Sequence, residues 1–212
     1  MGETIHDIKN SLTAIRTCAE ILGYDGLSAG ERQEFSQTLT KEIDRVLAIT
    51  QDLLEFSYGR KEPLNLQLHL VKDFMAEILP IITFSFTSQQ ITIQTDLQYT
   101  GAFRVDLGKM KRVFMNIADN AREAMPKGGE FSISTRLEKN LILFEFTDSG
   151  CGISSELQTR MFDPLVTEGK PHGTGLGMAI VKKILDEHQA QISVQSVVSK
   201  GTTIRIALPV PK

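Results

Sequence analysis

Apolar and polar residues alternate with helical period over the first quarter of the chain. From Thr4 to Phe56 apolar side chains recur three and four positions apart, which predicts helices with one apolar face. A break is predicted at residues 23–27, and Ser28 and Glu31 then have the spacing of a capping box. These features predict a helical hairpin. Because a lone hairpin cannot bury a stripe on both helices, we expect two copies to form a four-helix bundle, as a homodimer.

The period changes after a charged, proline-ended linker at residues 59–63. Residues 64–70 alternate strictly between leucine and polar residues, which predicts a strand with one buried face. The elements predicted after it are a helix at 71–84, strands at 91–97 and 103–105, a helix at 109–125, strands at 131–137 and 141–146, a helix at 176–188, and a hairpin of 191–197 and 202–208. This order predicts an α+β sandwich, a mixed sheet with helices on one face. Two domains are therefore expected, at residues 1–60 and 61–212.

Composition and charge exclude several classes of protein. The 212 residues are 41% apolar and 23% charged, as in ordinary globular proteins, and the net charge of −3 gives no case for binding nucleic acid. Cys18 and Cys151 have no metal-ligand spacing and are expected to be reduced thiols. No apolar stretch approaches the roughly 20 residues that span a bilayer. A cytoplasmic chain without a membrane segment is expected, although it could be part of a longer sensor protein.

Three polar signatures follow one another between residues 116 and 177. Asn116 and Asn120 lie one helical turn apart, so their side chains share a face. Asp148 ends an apolar strand pattern and begins Asp-Ser-Gly-Cys-Gly, whose glycines allow the backbone to approach a flat ligand. Residues 173–177, Gly-Thr-Gly-Leu-Gly, precede a predicted helix whose first N–H groups can bind phosphate. In this order they predict a nucleotide pocket assembled from separate elements.

The chain resembles the catalytic core of two-component sensor histidine kinases, a dimerisation and phosphotransfer hairpin followed by an ATP-binding domain of the GHKL (Bergerat) type. Five motifs carry the resemblance, in the family's order. They are the segment that begins His6-Asp-Ile-Lys-Asn, an N box at Asn116 and Asn120, a first glycine box at residues 148–152, an F box at residues 162–164, and a second glycine box at residues 173–177. The resemblance covers nearly the whole chain.

This resemblance implies ATP and Mg²⁺ as ligands. Asp148 would accept a hydrogen bond from the adenine amino group, which suits a carboxylate because it only accepts, and Gly150 and Gly152 would let the base lie close. Asn120 would bind Mg²⁺ through its amide oxygen, and Asn116 would assist at the phosphates or their water shell. The other implied nucleotide-binding residues lie in the ATP lid, the second glycine box and the last hairpin: Phe162, Lys170, Gly173, Thr174, Gly175, Leu176, Gly177 and Thr202.

One position departs from the family pattern. Family members often carry Lys or Arg three residues after the second asparagine, where this chain has Glu123. Lys170 is the candidate cation that steadies the phosphates in its place. Lys109 and Lys111 are expected to be solvated surface charges.

His6 is the phosphoacceptor that the resemblance implies. The adjacent Asp7 can hold or deprotonate the imidazole, whose neutral nitrogen would attack the γ-phosphoryl group and form a phosphoramidate. Asn10, one turn later, matches the position associated with phosphatase activity. Ser11 stands where the family usually has proline, so the expected kink is absent. His188, near a predicted helix C-terminus, is expected to carry a charge that suits the helix dipole.

The expected function is autophosphorylation on His6 followed by transfer to an aspartate of a response-regulator receiver domain. Three alternatives stay open. A GHKL ATPase of the gyrase or Hsp90 kind activates water with a glutamate, where this chain has Asn116, which cannot act as a base. A serine kinase of the anti-sigma type would lack the histidine hairpin. A dimeric nucleotide-binding scaffold without phosphotransfer is disfavoured by His6 and Asp7, and Glu123 keeps it open.

Overall fold

The computed structural model describes residues 2–57, 64–87, 89–166 and 175–211. The chain divides into two compact units, a helical one at the N-terminus and a second one that contains the strands. This order confirms the predicted fold class, helices first and a mixed α/β domain after them.

Two long helices form the first unit. α1 spans Gly2–Leu22 and continues through Ser11, and α2 spans Ala29–Ser57. The predicted capping box is present, because the Glu31 N–H donates to Ser28 Oγ at 3.3 Å and the Ser28 N–H donates to Glu31 Oε2 at 2.9 Å. The Ser28 hydroxyl also donates to Glu31 Oε2 at 2.6 Å, and this bond, together with the one from the Ser28 N–H, favours the ionised carboxylate and lowers the pKa of Glu31. The hairpin therefore has a defined start to its second helix.

The apolar seam of this hairpin is only partly buried within one chain. Cys18 and Ile49 are buried, whereas Leu12, Ile43 and Leu47 are 52%, 39% and 61% exposed. Large apolar side chains at helical spacing that remain in solvent are typical of a surface that a partner covers. The single chain thus leaves part of its predicted stripe uncovered.

The second unit contains two sheets and four helices among its described residues. Its elements are β1 (Gln67–Leu70), α3 (Val71–Thr87), β2 (Ile91–Leu97), β3 (Ala102–Val105), α4 (Leu107–Ala124), β4 (Gly129–Glu138), β5 (Leu141–Asp148), α5 (Ser155–Arg160), α6 (Gly177–Glu187), β6 (Gln191–Val197) and β7 (Gly201–Pro209). The main sheet has the order β2-β4-β5-β7-β6. Only its β2–β4 pairing is parallel, which makes the sheet mixed. β1 and β3 form a separate antiparallel pair.

A cluster of phenylalanines fixes α4 on the main sheet. The ring of Phe114 meets Phe74 of α3 and Phe146 of β5 at centroid distances of 4.8 Å, both edge-to-face. Phe144 of β5 lies 5.3 Å from the same ring. Each such pair contributes about 0.5–1.5 kcal/mol beyond the area that it buries. This packing sets the helix that carries the two asparagines against the strand that ends at Asp148.

The burial predicted for the first strand was wrong. β1 begins only at Gln67, and the leucine face is open to solvent, with Leu66, Leu68 and Leu70 38%, 64% and 48% exposed. The strand pairs only with β3, outside the five-stranded sheet. An alternating sequence predicts that one face of a strand is apolar. It does not predict whether another element of the protein packs against that face.

Candidate nucleotide site

Asp148 lies at the end of β5 with its carboxylate held by the backbone. The residue is 8% exposed, and its Oδ1 accepts hydrogen bonds from the N–H groups of Gly150 at 2.8 Å and Thr202 at 3.3 Å. Burial raises the pKa of Asp148, and these two bonds offset only part of that effect. Among the described residues no group bonds to Oδ2. The second oxygen therefore remains an oriented acceptor.

The glycines after Asp148 are required by the protein's own packing. A Cβ on Gly150 would lie 2.7 Å from both the Cβ and the carbonyl oxygen of Ala124, at the end of α4. Gly152 has φ +70° and a Cβ there would lie 2.2 Å from the carbonyl oxygen of Val197. This packing role comes in addition to the predicted one, room for a flat ligand beside the backbone, which stays a prediction. The loop is held between the end of α4 and the β6–β7 hairpin.

Ser196 organises this loop and was not anticipated from the sequence. Its Oγ accepts from the Ile153 N–H at 2.8 Å and donates to the Gly201 carbonyl at 2.8 Å. Because the single hydroxyl hydrogen is used in that bond, the Thr202 hydroxyl is the donor in the 2.9 Å contact with Ser196. Ser196 thus fixes Thr202, whose N–H holds Asp148. The available signal was a serine at the position that continues the Ile192, Val194 side of β6.

The two asparagines lie one turn apart on α4, as predicted, and both are half-buried. The Asn116 Nδ2 donates to the carbonyl oxygen of Gly177, the first residue of α6, at 3.1 Å. This bond uses the donor end of the amide and leaves its oxygen as an acceptor beside the start of α6. A Cβ on Gly177 would meet the Asn116 Cγ at 3.8 Å, an ordinary van der Waals distance, so the protein's own packing would admit a side chain there.

The described part of the second glycine box leads directly into a helix N-terminus. Gly175 has φ +65°, Leu176 is fully buried, and α6 begins at Gly177. The first N–H groups of a helix have no partner within it, so they are donors for an anion. Phe162 is half-buried in the turn after α5. The predicted site residues Lys170, Gly173 and Thr174 lie outside the described residues.

Two lysines of α4 are ion-paired, which corrects the expectation that they are solvated surface charges. Lys109 Nζ lies 2.7 Å from Glu187 Oε2 of α6, and Lys111 pairs with Glu77 of α3. Each pair joins α4 to another helix. Glu123, the departure from the family pattern, is exposed on the same helix.

His188 is a buried neutral side chain, so the expected charge at a helix end was wrong. The residue is 7% exposed. The Asp106 N–H donates to its Nε2 at 3.0 Å, which requires that Nε2 carries no hydrogen. Nδ1 lies 2.7 Å from the Ile184 carbonyl and must be the donor there. Both ring nitrogens are therefore occupied in the neutral form.

The residues predicted to take part in phosphoryl transfer lie on the first helix. α1 includes His6 and Asp7, whose side chains lie outside the described part of the structure, and Asn10 follows one turn later with an exposed side chain. Within the residues described, no group of three or more His, Cys, Asp or Glu side chains could hold a metal ion. No described helix is both long and apolar enough to cross a membrane.

Comparison with known proteins assigns both units. Residues 105–212 match the family described as histidine kinase-, DNA gyrase B- and HSP90-like ATPases, and residues 5–62 match the His Kinase A (phospho-acceptor) domain. The first match covers half of the chain, so the protein belongs to that ATPase family. Together, the two domains and the named relatives identify the catalytic core of a two-component sensor histidine kinase.

The relatives that match nearly the whole chain are longer than it is. The signal transduction histidine-protein kinase AtoS of Escherichia coli K12 is 32% identical over 99% of this chain and 34% of its own length. Sporulation kinase D of Bacillus subtilis 168 is 32% identical over 99% of this chain and 41% of its own length. The chain therefore spans well under half of these relatives.

Solved structures share the fold at low sequence identity. The Acinetobacter baumannii histidine kinase AdeS has a TM-score of 0.75 at 20% identity, covering 98% of each chain. The histidine kinase ThkA, crystallised with the response regulator protein TrrA, has a TM-score of 0.80 at 21% identity over 99% of this chain and 60% of its own. These likenesses support the two-part architecture.

Proposed function

We propose that the protein is an ATP-dependent histidine kinase that phosphorylates His6 and passes the phosphoryl group to an aspartate of a response regulator. The observation that carries this proposal is the convergence of the Asp148 acceptor, the asparagine face of α4 and the N-terminus of α6 within the second unit. The match of residues 5–62 to a phospho-acceptor domain supplies the acceptor. We assign phosphotransfer to residues 1–60 and ATP binding to residues 61–212.

Adenine recognition is assigned to Asp148. Its Oδ1 is held by two backbone N–H groups, which orients Oδ2 as an acceptor for the exocyclic amino group. An ionised carboxylate cannot donate, so it disfavours purines that present an oxo group at that position. Thr202, fixed by Ser196, lines the same region.

The triphosphate is assigned to the start of α6. The first N–H groups of this helix favour an anion there, and the lack of a side chain at Gly177 would let phosphate oxygens approach the backbone closely. Phe162, Lys170, Gly173, Thr174, Gly175 and Leu176 complete the proposed lid and phosphate loop. Since the described residues offer amide oxygens rather than a carboxylate cluster, Mg²⁺ would be held by Asn120, with Asn116 assisting, and by the phosphates themselves. Bound there, the cation neutralises charge on the transferring group.

The chemistry is an in-line displacement at phosphorus. A neutral ring nitrogen of His6 forms the new N–P bond while the bond from the γ-phosphorus to the bridging oxygen breaks and ADP leaves. The proton of the imidazole can pass to Asp7. Asn116 stands where related ATPases have a glutamate that activates water, and an amide cannot take that proton. This favours a phosphoryl donor over a hydrolase.

The helical hairpin of the first unit is where we propose that partner proteins bind. The exposed Leu12, Ile43 and Leu47 fit a second copy of the hairpin, so we propose a homodimeric four-helix bundle. ThkA binds a response regulator, and we propose a receiver domain as the partner of this hairpin too. We also propose that the chain acts in the cytoplasm, because the proposed reaction consumes ATP.

One experiment tests the kinase directly. The chain is incubated with γ-labelled ATP and Mg²⁺, and the stability of the protein-bound label is measured. Acid-labile, alkali-stable label should form and should disappear in His6→Gln, but persist in His69→Gln, a control histidine on β1. Label that survives His6→Gln, or steady phosphate release without label, would reject the proposal.

A second experiment tests the proposed phosphatase role of Asn10. Asn10→Ala should slow dephosphorylation of the phosphorylated receiver while autophosphorylation is retained. Thr17→Ala, two turns further along the exposed side of α1, serves as the control. An unchanged rate for Asn10→Ala contradicts this role.

A further inference from the structure

His188 connects the two helices that build the phosphate end of the site. It follows the last residue of α6, and its Nε2 accepts the backbone N–H of Asp106, the N-cap of α4. We propose that His188 is a positioning residue for the triphosphate, because its bond to Asp106 sets the register of α6 along α4. This inference rests on the proposed function.

The register is defined by contacts at two ends. Asn116 meets Gly177 at the start of α6, and Asp106 meets His188 at its end, so the helices run antiparallel. At about 1.5 Å per residue, the ten steps from Asp106 to Asn116 span about 15 Å and the eleven from Gly177 to His188 span about 16.5 Å. The two contacts therefore fit one register together. A slip by one residue, about 1.5 Å, would break both hydrogen bonds.

Asp106 is a firm anchor for this contact. Its Oδ1 accepts the Lys109 N–H at 3.1 Å and so caps α4, and its Oδ2 accepts the Asn65 N–H at 3.2 Å. The imidazole is held at its other nitrogen by the Ile184 carbonyl of α6. The imidazole ring therefore links the two helices, because Nε2 bonds to the N-cap of α4 and Nδ1 bonds to α6.

The neighbouring ion pair holds α4 and α6 together less strongly than the His188 hydrogen bond does. Lys109 and Glu187 join the same two helices, but their side chains are 25% and 33% exposed, so salt screens the attraction. A flexible lysine also tolerates displacement of its partner, whereas the hydrogen bond to the buried His188 ring is directional and has no room to adjust. The register is accordingly assigned to His188 rather than to the ion pair.

A displaced α6 should affect only one end of the nucleotide. The adenine contact lies at Asp148, which is held by Gly150 and Thr202 and has no bond to α6 among the described residues. The phosphates lie at the start of α6. Loss of the His188 bond should therefore weaken binding of ADP and ATP and leave adenosine binding unchanged, a split that general destabilisation does not produce.

Three substitutions separate the two hydrogen bonds. His188→Gln keeps an acceptor at the distance of Nε2, and so can keep the bond from the Asp106 N–H. His188→Asn keeps only a donor at the distance of Nδ1, for the Ile184 carbonyl. His188→Leu fills a similar volume but makes neither hydrogen bond. We expect Asn and Leu to weaken ADP binding roughly tenfold or more, and Gln to remain within about threefold of the wild type. Lys109→Met is the matched control for the ion pair and should change ADP affinity little.

The measurement is calorimetric titration with ADP and an NMR titration with adenosine, on protein whose folding is checked by thermal unfolding. Wild-type ADP affinity in folded Asn and Leu variants would overturn the inference, and so would equal losses for ADP and adenosine. A wild type that binds neither ligand rejects the proposed function itself. Should the variants fail to fold, amide exchange in the wild type decides: ADP should protect the Asp106 N–H more than adenosine does, and equal protection overturns the inference.

Discussion

The side-chain amide of Asn116 donates a 3.1 Å hydrogen bond to the carbonyl oxygen of Gly177. This bond joins the helix that carries the two asparagines to the first residue of the helix after the glycine-rich segment. Its consequence is that the proposed cation ligands and the proposed phosphate donors are held together by the protein before any ligand binds. Such preorganisation lowers the cost of ordering the site around a triphosphate.

Gly177→Ala should weaken ATP binding without lowering the stability of the protein. The protein leaves ordinary contact distance for a Cβ at this residue, and alanine is the better helix former, so the unfolding free energy should be unchanged or higher. A methyl group at the start of α6 occupies space proposed for phosphate oxygens, and ATP should bind roughly tenfold more weakly or worse. The measurements are urea unfolding and ATP titration. Gly30→Ala, in the first turn of α2 with nothing nearby, is the control, and unchanged ATP affinity in Gly177→Ala contradicts the assignment.

Asp148→Asn should alter purine selectivity without unfolding the domain. The amide oxygen can still accept from Gly150 and Thr202, but the other atom becomes an N–H donor that faces the adenine amino group. ATP affinity should fall about a hundredfold, and the ratio of ITP to ATP binding should rise. Competition binding with the two nucleotides measures this ratio. If the ratio stays at the wild-type value, Asp148 does not recognise the base.

The pH dependence of ATP binding should follow Asp148. Burial raises the pKa of this carboxyl above its ordinary value. As pH falls through that pKa, the group protonates and loses its role as a pure acceptor, so ATP affinity should drop. The stability contribution has the opposite sign: it is full below the unfolded-state pKa and is lost as pH rises through the folded-state pKa. ATP titrations between neutral and acidic pH test this, and the drop should be absent in Asp148→Asn.

Ser196→Ala should destabilise the second unit. The change leaves the Ile153 N–H without its acceptor and the Gly201 carbonyl without its donor, so the unfolding free energy should fall by about 1–3 kcal/mol. Ser193→Ala, an exposed serine on the same strand, should change it by less than about 0.5 kcal/mol. Denaturant unfolding monitored by circular dichroism compares the two. Equal effects would show that the hydroxyl network contributes nothing specific.

Local pattern was sufficient for most of the fold. The strands Ile91–Leu97 and Gln191–Val197 have the predicted bounds, because alternation directly reflects a sheet with one covered face. β1 has the same alternation, yet its leucines are exposed. The apolar positions of β1 alternate at least as strictly as those of the other two strands, so the covering layer, and not the pattern, makes the difference.

Residues of the site could be predicted where their type is demanded locally. Asp148 lies at the end of a strand and Gly152 in a turn with positive φ, and both features have recognisable local sequence patterns. The roles of Ser196, Lys109 and His188 have little or no local sequence pattern and could not be predicted. The partners of the last two lie 78 and 82 residues away along the chain, so their roles depend on contacts that no local pattern encodes.

By itself the sequence determined the helices, the strands, the order of the motifs and the family they resemble, because periodicity, capping residues and turn glycines act over a few neighbouring residues. Tertiary structure alone decided which residues meet. Asn116 lies against Gly177, 61 residues later, and His188 lies against Asp106, because packing on a shared core brings α4 and α6 side by side. Those contacts depend on the position of whole elements, and local propensity does not specify such positions.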